Sequence, residues 1–160
     1  MTDEHLAKSD YQKAMNTAVR LLTRRDHTSF EILQKLEQRG FGGRIIERVL
    51  AECRRLDYID DERTARIYIG QLARRGFGFR RIRLELRKKG LTGERFEIIL
   101  NERRAEIDER EIARKVMLKK MKSFESVVDL QKRRDKIYRF LYSRGFEASA
   151  ISELIREFVK

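Results

Sequence analysis

The chain has 160 residues, of which 41% are hydrophobic and 40% charged, with no proline and one cysteine. That apolar content can form a core, but the charge fraction argues against one large globule and for several small helical units. The net charge of +12 favours an acidic partner, nucleic acid or an acidic protein surface; a lone cysteine excludes an intramolecular disulfide, and no apolar run approaches the ~20 residues that span a bilayer.

The polar start MTDEHLAKSD lacks the apolar segment of a signal peptide. Residues 1–10 are expected to form a disordered tail, and a cytoplasmic location is the default. A first helix is expected from Tyr11 to Arg25, with Ala14, Ala18, Leu21 and Leu22 at helical spacing and Asp10 as its cap. Thr28 and Glu31 form a capping box ahead of Ile32 and Leu36, and Gly40 ends this second helix. A third helix runs from about Arg44 to Arg55, with Ile45, Ile46, Val49 and Leu50 on its inner side.

This pattern then recurs. Gly40, Gly90 and Gly145 fall in register, and with them Ile32, Ile82 and Ile137; Leu36, Leu86 and Leu141; and Phe41, Leu91 and Phe146. The third helices follow the same register through Ile46, Phe96 and Ile151, and through Val49, Ile99 and Leu154. The sequence therefore predicts an all-α fold of three tandem three-helix repeats, over residues 11–58, 59–108 and 109–160, in an elongated arrangement. In the first connection Tyr58 and Ile59 are expected to pack between repeats, and Asp60, Asp61 and Glu62 to open the next helix, where the helix dipole favours acids. Glu106 to Arg114 repeats that acidic start. A longer first half of the third repeat, Arg114 to Lys136, absorbs its extra residues.

Charge is distributed unevenly along this frame. Residues 1–60 hold 11 basic and 10 acidic groups, 61–108 hold 13 and 8, and 109–160 hold 14 and 8. The densest stretch is ARRGFGFRRIRLELRKKGL, Ala73 to Leu91. Gly76 and Gly78 suit a tight link between helices, and Phe79, Ile82 and Leu86 share the buried face of a short helix. The basic residues Arg74, Arg75, Arg80, Arg81, Arg83, Arg87, Lys88 and Lys89 are the candidate partner-binding set. Where this repeat has Arg80, Arg81, Arg87 and Lys88, the first has Phe30, Glu31, Glu37 and Gln38, so the scaffold does not itself demand positive charge there. Leu84 lies nearly opposite the buried stripe and joins the set. It is either an exposed contact residue ringed by arginines or a residue packed on a neighbouring repeat.

Catalytic chemistry finds little material. His5 lies in the tail, and His27 precedes a capping box, where it stabilises the turn or is exposed. Cys53, among Val49, Leu50 and Leu56, reads as a buried small hydrophobe. No Cys/His spacing fits a metal and no phosphate-binding loop is present; Gly76-Phe77-Gly78-Phe79 is a turn. The sequence calls for no cofactor, no metal and no enzymatic activity.

Tyr58-Ile59-Asp60-Asp61, Gly76, Gly78, Arg81-Ile82-Arg83, Glu85-Leu86 and Lys89-Gly90, at these spacings, resemble the RecX family of bacterial RecA regulators over nearly the whole chain. Phe79 stands where that family often has proline and Asp57 where it often has glycine, departures that touch turn geometry and not the charge pattern. The resemblance implies an elongated all-helical modulator that binds the RecA-DNA filament, limits its extension or promotes its disassembly, and so restrains ATP hydrolysis and strand exchange; the repeat frame itself leads us to expect a monomer. The competing reading is a DNA-binding protein: three-helix units resemble helix-turn-helix modules, and phosphate contacts indifferent to sequence fit the charge. Against it, the would-be recognition helix Glu94 to Arg104 carries Glu94, Glu97 and Glu102.

Overall fold

Apolar residues at helical spacing, punctuated by capping residues and glycines, produce helices throughout the described residues. The computed structural model describes residues 3–160. Among them lie ten α-helices and no strand: α1 (Asp3–Leu22), α2 (Ser29–Glu37), α3 (Gly43–Arg55), α4 (Asp61–Arg74), α5 (Phe79–Lys88), α6 (Glu94–Glu106), α7 (Glu109–Lys119), α8 (Met121–Glu125), α9 (Leu130–Ser143) and α10 (Ala148–Phe158).

Two expectations about helix limits need correction. First, α1 begins at Asp3, so residues 3–10 are helical rather than a disordered tail, and Asp10 lies within the helix instead of capping it. Glu, Leu, Ala and Lys in this stretch are good helix formers. Met1 and Thr2, the rest of the expected tail, lie outside the described residues. Second, the longer first half of the third repeat contains a break at Lys120 (φ −106°, ψ 4°) and an additional short helix, α8. Phe124 on α8 is buried in a core with Met117, Ile137, Leu141 and Phe146, so the extra residues cover apolar surface.

The chain divides into two compact units, one of Met1–Ala65 with Lys88–Thr92, the other of Arg66–Arg87 with Gly93–Lys160. In the first, Ala14, Ala18, Ile32, Leu36, Val49 and Cys53 form a core that Ile59 of the connection completes. Tyr58 does not pack as expected and stays 49% exposed. Asp57, just before it, takes a left-handed conformation, φ 58°, which turns the chain there. Asp60 then caps α4 by accepting from the Arg63 amide (2.9 Å).

One joint occurs twice, once in each unit. In the first unit the Thr28 hydroxyl donates to the Lys89 carbonyl (2.7 Å) and the Ser29 amide to Asp61 Oδ1 (2.8 Å). In the second, the Gly78 amide donates to the Arg144 carbonyl (2.9 Å) and the Phe79 amide to Glu109 Oε1 (2.9 Å). In both cases the polar groups that open a middle helix, including amides with no intrahelical partner, are satisfied by the end of the next middle helix and by an acid opening the next repeat. The glycines at those ends, Gly90 (φ 73°) and Gly145 (φ 91°), take the left-handed conformation. Their missing side chains also matter, because a Cβ would strike Phe30 at Gly90 and the Arg81 backbone at Gly145. Gly76 adopts a positive φ of 83° as expected. Gly78 does not; it is glycine because a Cβ there would lie 2.5 Å from the Phe146 nitrogen.

The first joint also holds an ion pair. Glu31 closes the capping box on the Thr28 amide (3.0 Å) and accepts from Lys89 Nζ (2.8 Å) and Arg25 (3.2 Å). Burial pushes its carboxyl up, but the Lys89, Thr28 and Arg25 hydrogen bonds outweigh this and hold it at about 2.

The glycines and the buried acid each lend themselves to measurement. A Cβ at Gly40 (φ 82°) meets nothing within 4 Å, so Gly40→Ala carries the left-handed penalty alone, about 1–2 kcal/mol. Gly145→Ala adds a backbone collision and should cost about 3 kcal/mol or more; urea midpoints of the two variants, compared with the parent, measure the difference. In acid, the folded-state pKa of Glu31 lies below its unfolded value, so its contribution, on the order of 2 kcal/mol, is present above about pH 4.5 and lost as pH falls toward 2. Glu31→Gln should lower stability at neutral pH and flatten the acid limb of a stability-pH curve.

Candidate functional site

α5 is positioned by its apolar stripe, Phe79, Ile82 and Leu86, each at most 3% exposed. This directs Leu84, Arg87 and Lys88 to the surface. Leu84 is 50% exposed, in keeping with its place nearly opposite the buried stripe.

Around Leu84 the structure assembles groups from two repeats. The Arg80 guanidinium lies 3.8 Å from the centroid of the Tyr142 ring, and Tyr142 stacks on Tyr138 at 5.7 Å with 13° between planes. Arg80 also donates to the Phe146 carbonyl (3.4 Å), so its side chain is held at both its planar head and its edge. Arg80, Arg81, Leu84 and Tyr142 line a surface cavity of about 150 Å³. Arginine and tyrosine held rigid beside an exposed leucine give the composition of an interface hot spot: large contact area, little entropy left to lose, and a cation–π pair.

The remaining members of the basic set are distributed differently. Arg81 pairs with Glu85 (2.8 Å) and Arg83 with Glu97 (3.0 Å). Lys89 is held by Glu31 (2.8 Å) with its side chain 22% exposed, so it serves the joint. Arg74 and Arg75, at the end of α4, line a second cavity with Lys115 and Lys119 of α7. The sequence alignment of Arg81 with Glu31 does not carry over to their surroundings. Glu31 belongs to a capping box, whereas Arg81 bonds along its own helix and abuts Gly145.

Sequence reasoning missed Tyr138 and Tyr142, and with them the α9 half of the face. A signal was present: they stand four residues apart, each directly after a core position, Ile137 and Leu141, so both border the buried stripe. The lysines of α7 were equally visible as Lys115 and Lys119 at the same spacing, but nothing in the sequence joined them to Arg74.

His27 and Cys53 are both buried. His27 is 4% exposed, its Nδ1 is 2.9 Å from the Arg25 carbonyl, and burial lowers its pKa. Cys53 is fully buried beside the Met15 sulfur (4.0 Å), and burial pushes its thiol up. Among the described residues no group of three or more His, Cys, Asp or Glu could hold a metal, and no helix is long and apolar enough to cross a membrane.

Comparison with known proteins accounts for the repeats. Family models described as the first, second and third three-helix domains of RecX match residues 14–53, 60–95 and 108–155. The chain is 34% identical over 146 residues to the regulatory protein RecX of Legionella pneumophila, covering 91% of this chain and 94% of that one. It is 36% identical over 143 residues to the regulatory protein RecX of Mannheimia succiniciproducens, covering 89% and 92%. The crystal structure of RecX from Lactobacillus salivarius superposes with a TM-score of 0.80 at 22% identity, covering 94% of this chain and 97% of that one. A second crystal structure, of a regulatory protein RecX, gives a TM-score of 0.82 at 23% identity, covering 98% and 80%. With all three domain models matched in order and relatives above 30% identity along most of its length, the chain belongs to the RecX family of regulatory proteins.

Proposed function

We propose that this chain regulates RecA: it binds the RecA-DNA filament and inhibits its extension, ATP hydrolysis and strand exchange, and so modulates homologous recombination and DNA repair. It acts as a cytoplasmic monomer, without catalysis of its own, and adds sequence-independent contacts to the DNA backbone of the filament. The observation that carries this reading, beside family membership, is the face built by Leu84, Arg80 and Tyr142. A duplex backbone offers phosphates but nothing for an exposed leucine and a pair of stacked tyrosines, whereas an acidic protein surface with an apolar pocket matches all three.

The competing helix-turn-helix reading needs a base-reading helix. On α6, Glu97 pairs with Arg83 and Glu102 with Arg66 (2.6 Å), which places carboxylates where that reading wants donors.

The test follows ATP hydrolysis by RecA on single-stranded DNA. Leu84→Ala combined with Arg87→Ala changes two exposed residues, so melting should move by no more than a few degrees. The concentration needed for half-inhibition should rise about tenfold, the equivalent of about 1.4 kcal/mol of binding. Arg44→Ala with Arg48→Ala, in the nearly neutral first repeat, should leave inhibition unchanged. A double variant at Leu84 and Arg87 that inhibits like the parent would remove this face from the interface. Absence of any effect of the parent on RecA, with a marked preference for one duplex sequence, would replace the reading with that of a transcriptional regulator.

A further inference from the structure

Arg74 and Arg75, at the end of α4, face Lys115, Lys119 and Lys120 of α7 and its C-cap across a cavity of about 540 Å³. Two further cations complete the wall. Arg144 donates to the carbonyls of Arg75 (3.3 Å) and Gly76 (3.2 Å), which ties α9 to the turn after α4. Arg103 is paired with Glu106 and Lys115 with Glu111 (3.7 Å), and both acids stand outside the cavity lining. No carboxylate lines the cavity, while Ile107, Val116 and Phe140 give it an apolar floor.

A fold has no reason to converge cations on one concave surface for stability, since their mutual repulsion opposes folding. The arrangement is favourable when an anion is present. The cavity's volume lies within the range of small-ligand sites, about 300–1,000 Å³, which admits a nucleotide or two at a time. A duplex, with its bases stacked inside a rigid cylinder, could touch only the rim. Cations over an apolar and aromatic floor are what a single strand uses, phosphates toward the charges and base or sugar against the floor.

We propose that this cleft binds single-stranded nucleic acid through its phosphates. The proposal rests on the functional reading above for the presence of nucleic acid, and adds to it which strand is held and by which residues. It assigns Arg74 and Arg75 to strand binding, separately from the face around Leu84.

The experiment measures binding of a fluorescent oligo-dT to the full chain in the absence of RecA, across a salt series. Lys115→Gln with Lys119→Gln should weaken binding about tenfold or more, and the slope of log K against log salt should become shallower by about 1.4, or about 0.7 for each phosphate no longer neutralised. Arg74→Gln with Arg75→Gln, on the opposite wall, should do the same, and serves if the lysine variant melts early. Arg44→Gln with Arg48→Gln removes equal charge elsewhere and should leave affinity within about twofold. The Leu84 and Arg87 variant should bind oligo-dT like the parent even where it fails against RecA, so the two readings fail separately. Equal affinity of the parent and both cleft variants would overturn the proposal, as would an equal drop in the Arg44 and Arg48 control. Competition by a polyglutamate peptide as effective as by unlabelled oligo-dT would overturn it in favour of an acidic protein segment. Competition by free ATP at the same concentration as oligo-dT would overturn it in favour of a small nucleotide.

Discussion

The fold depends on a helix end that has no side chain. Where a middle helix finishes at Gly90 or Gly145, the backbone turns left-handed and leaves an open surface. The opening turn of the preceding repeat's middle helix lies against that surface and donates its unpaired polar groups. Each three-helix unit is small for a core of its own, and burying two helix termini against each other satisfies polar groups that would otherwise need water. The joint therefore contributes hydrogen bonds and shape together, and a methyl group at either glycine would disturb both. The same joint explains why the first compact unit includes Lys88–Thr92: those residues carry the glycine on which α2 rests.

Charge in this protein does two kinds of work. Part of it is structural: Lys89 is held at the joint by Glu31, and Arg104 lies 3.4 Å from Glu109 and 3.3 Å from Glu147, linking the starts of α7 and α10. The other part is displayed on α5 beside Leu84 and around the cleft of α4 and α7. Exposed ion pairs such as Arg83 with Glu97 add little stability individually, but they fix where arginine heads sit and leave fewer conformations to be lost on association.

Much of this is legible in the sequence, for physical reasons that can be named. Ile32, Ile82 and Ile137 mark one buried position because helical periodicity survives repetition, and Thr28 with Glu31 announces a capping box that forms as written. Gly40, Gly90 and Gly145 read as helix stops and take positive φ. Asp57 is the one described non-glycine residue with positive φ. What the sequence could not supply is which distant groups meet. Glu109 capping Phe79 and Arg80 lying over Tyr142 join residues far apart in the chain, and no local rule pairs them. For the same reason nine charged and apolar residues that look like one site in sequence separate into a joint, a face and part of a cleft.

The third copy of the middle helix departs from the other two at its start. In the shared register Ser29 and Phe79 correspond to Arg134, yet α9 begins at Leu130, one turn earlier, and its own Asp129 accepts from the Lys132 amide (3.0 Å). In the first copy, by contrast, a Cβ at Gly40 would meet no protein atom within 4 Å. The first copy thus offers a socket and the last copy has already plugged its own terminals. The contact that joins α2 and α5 to the repeat after each is therefore not repeated in that form at the start of α9, where the chain supplies its own cap.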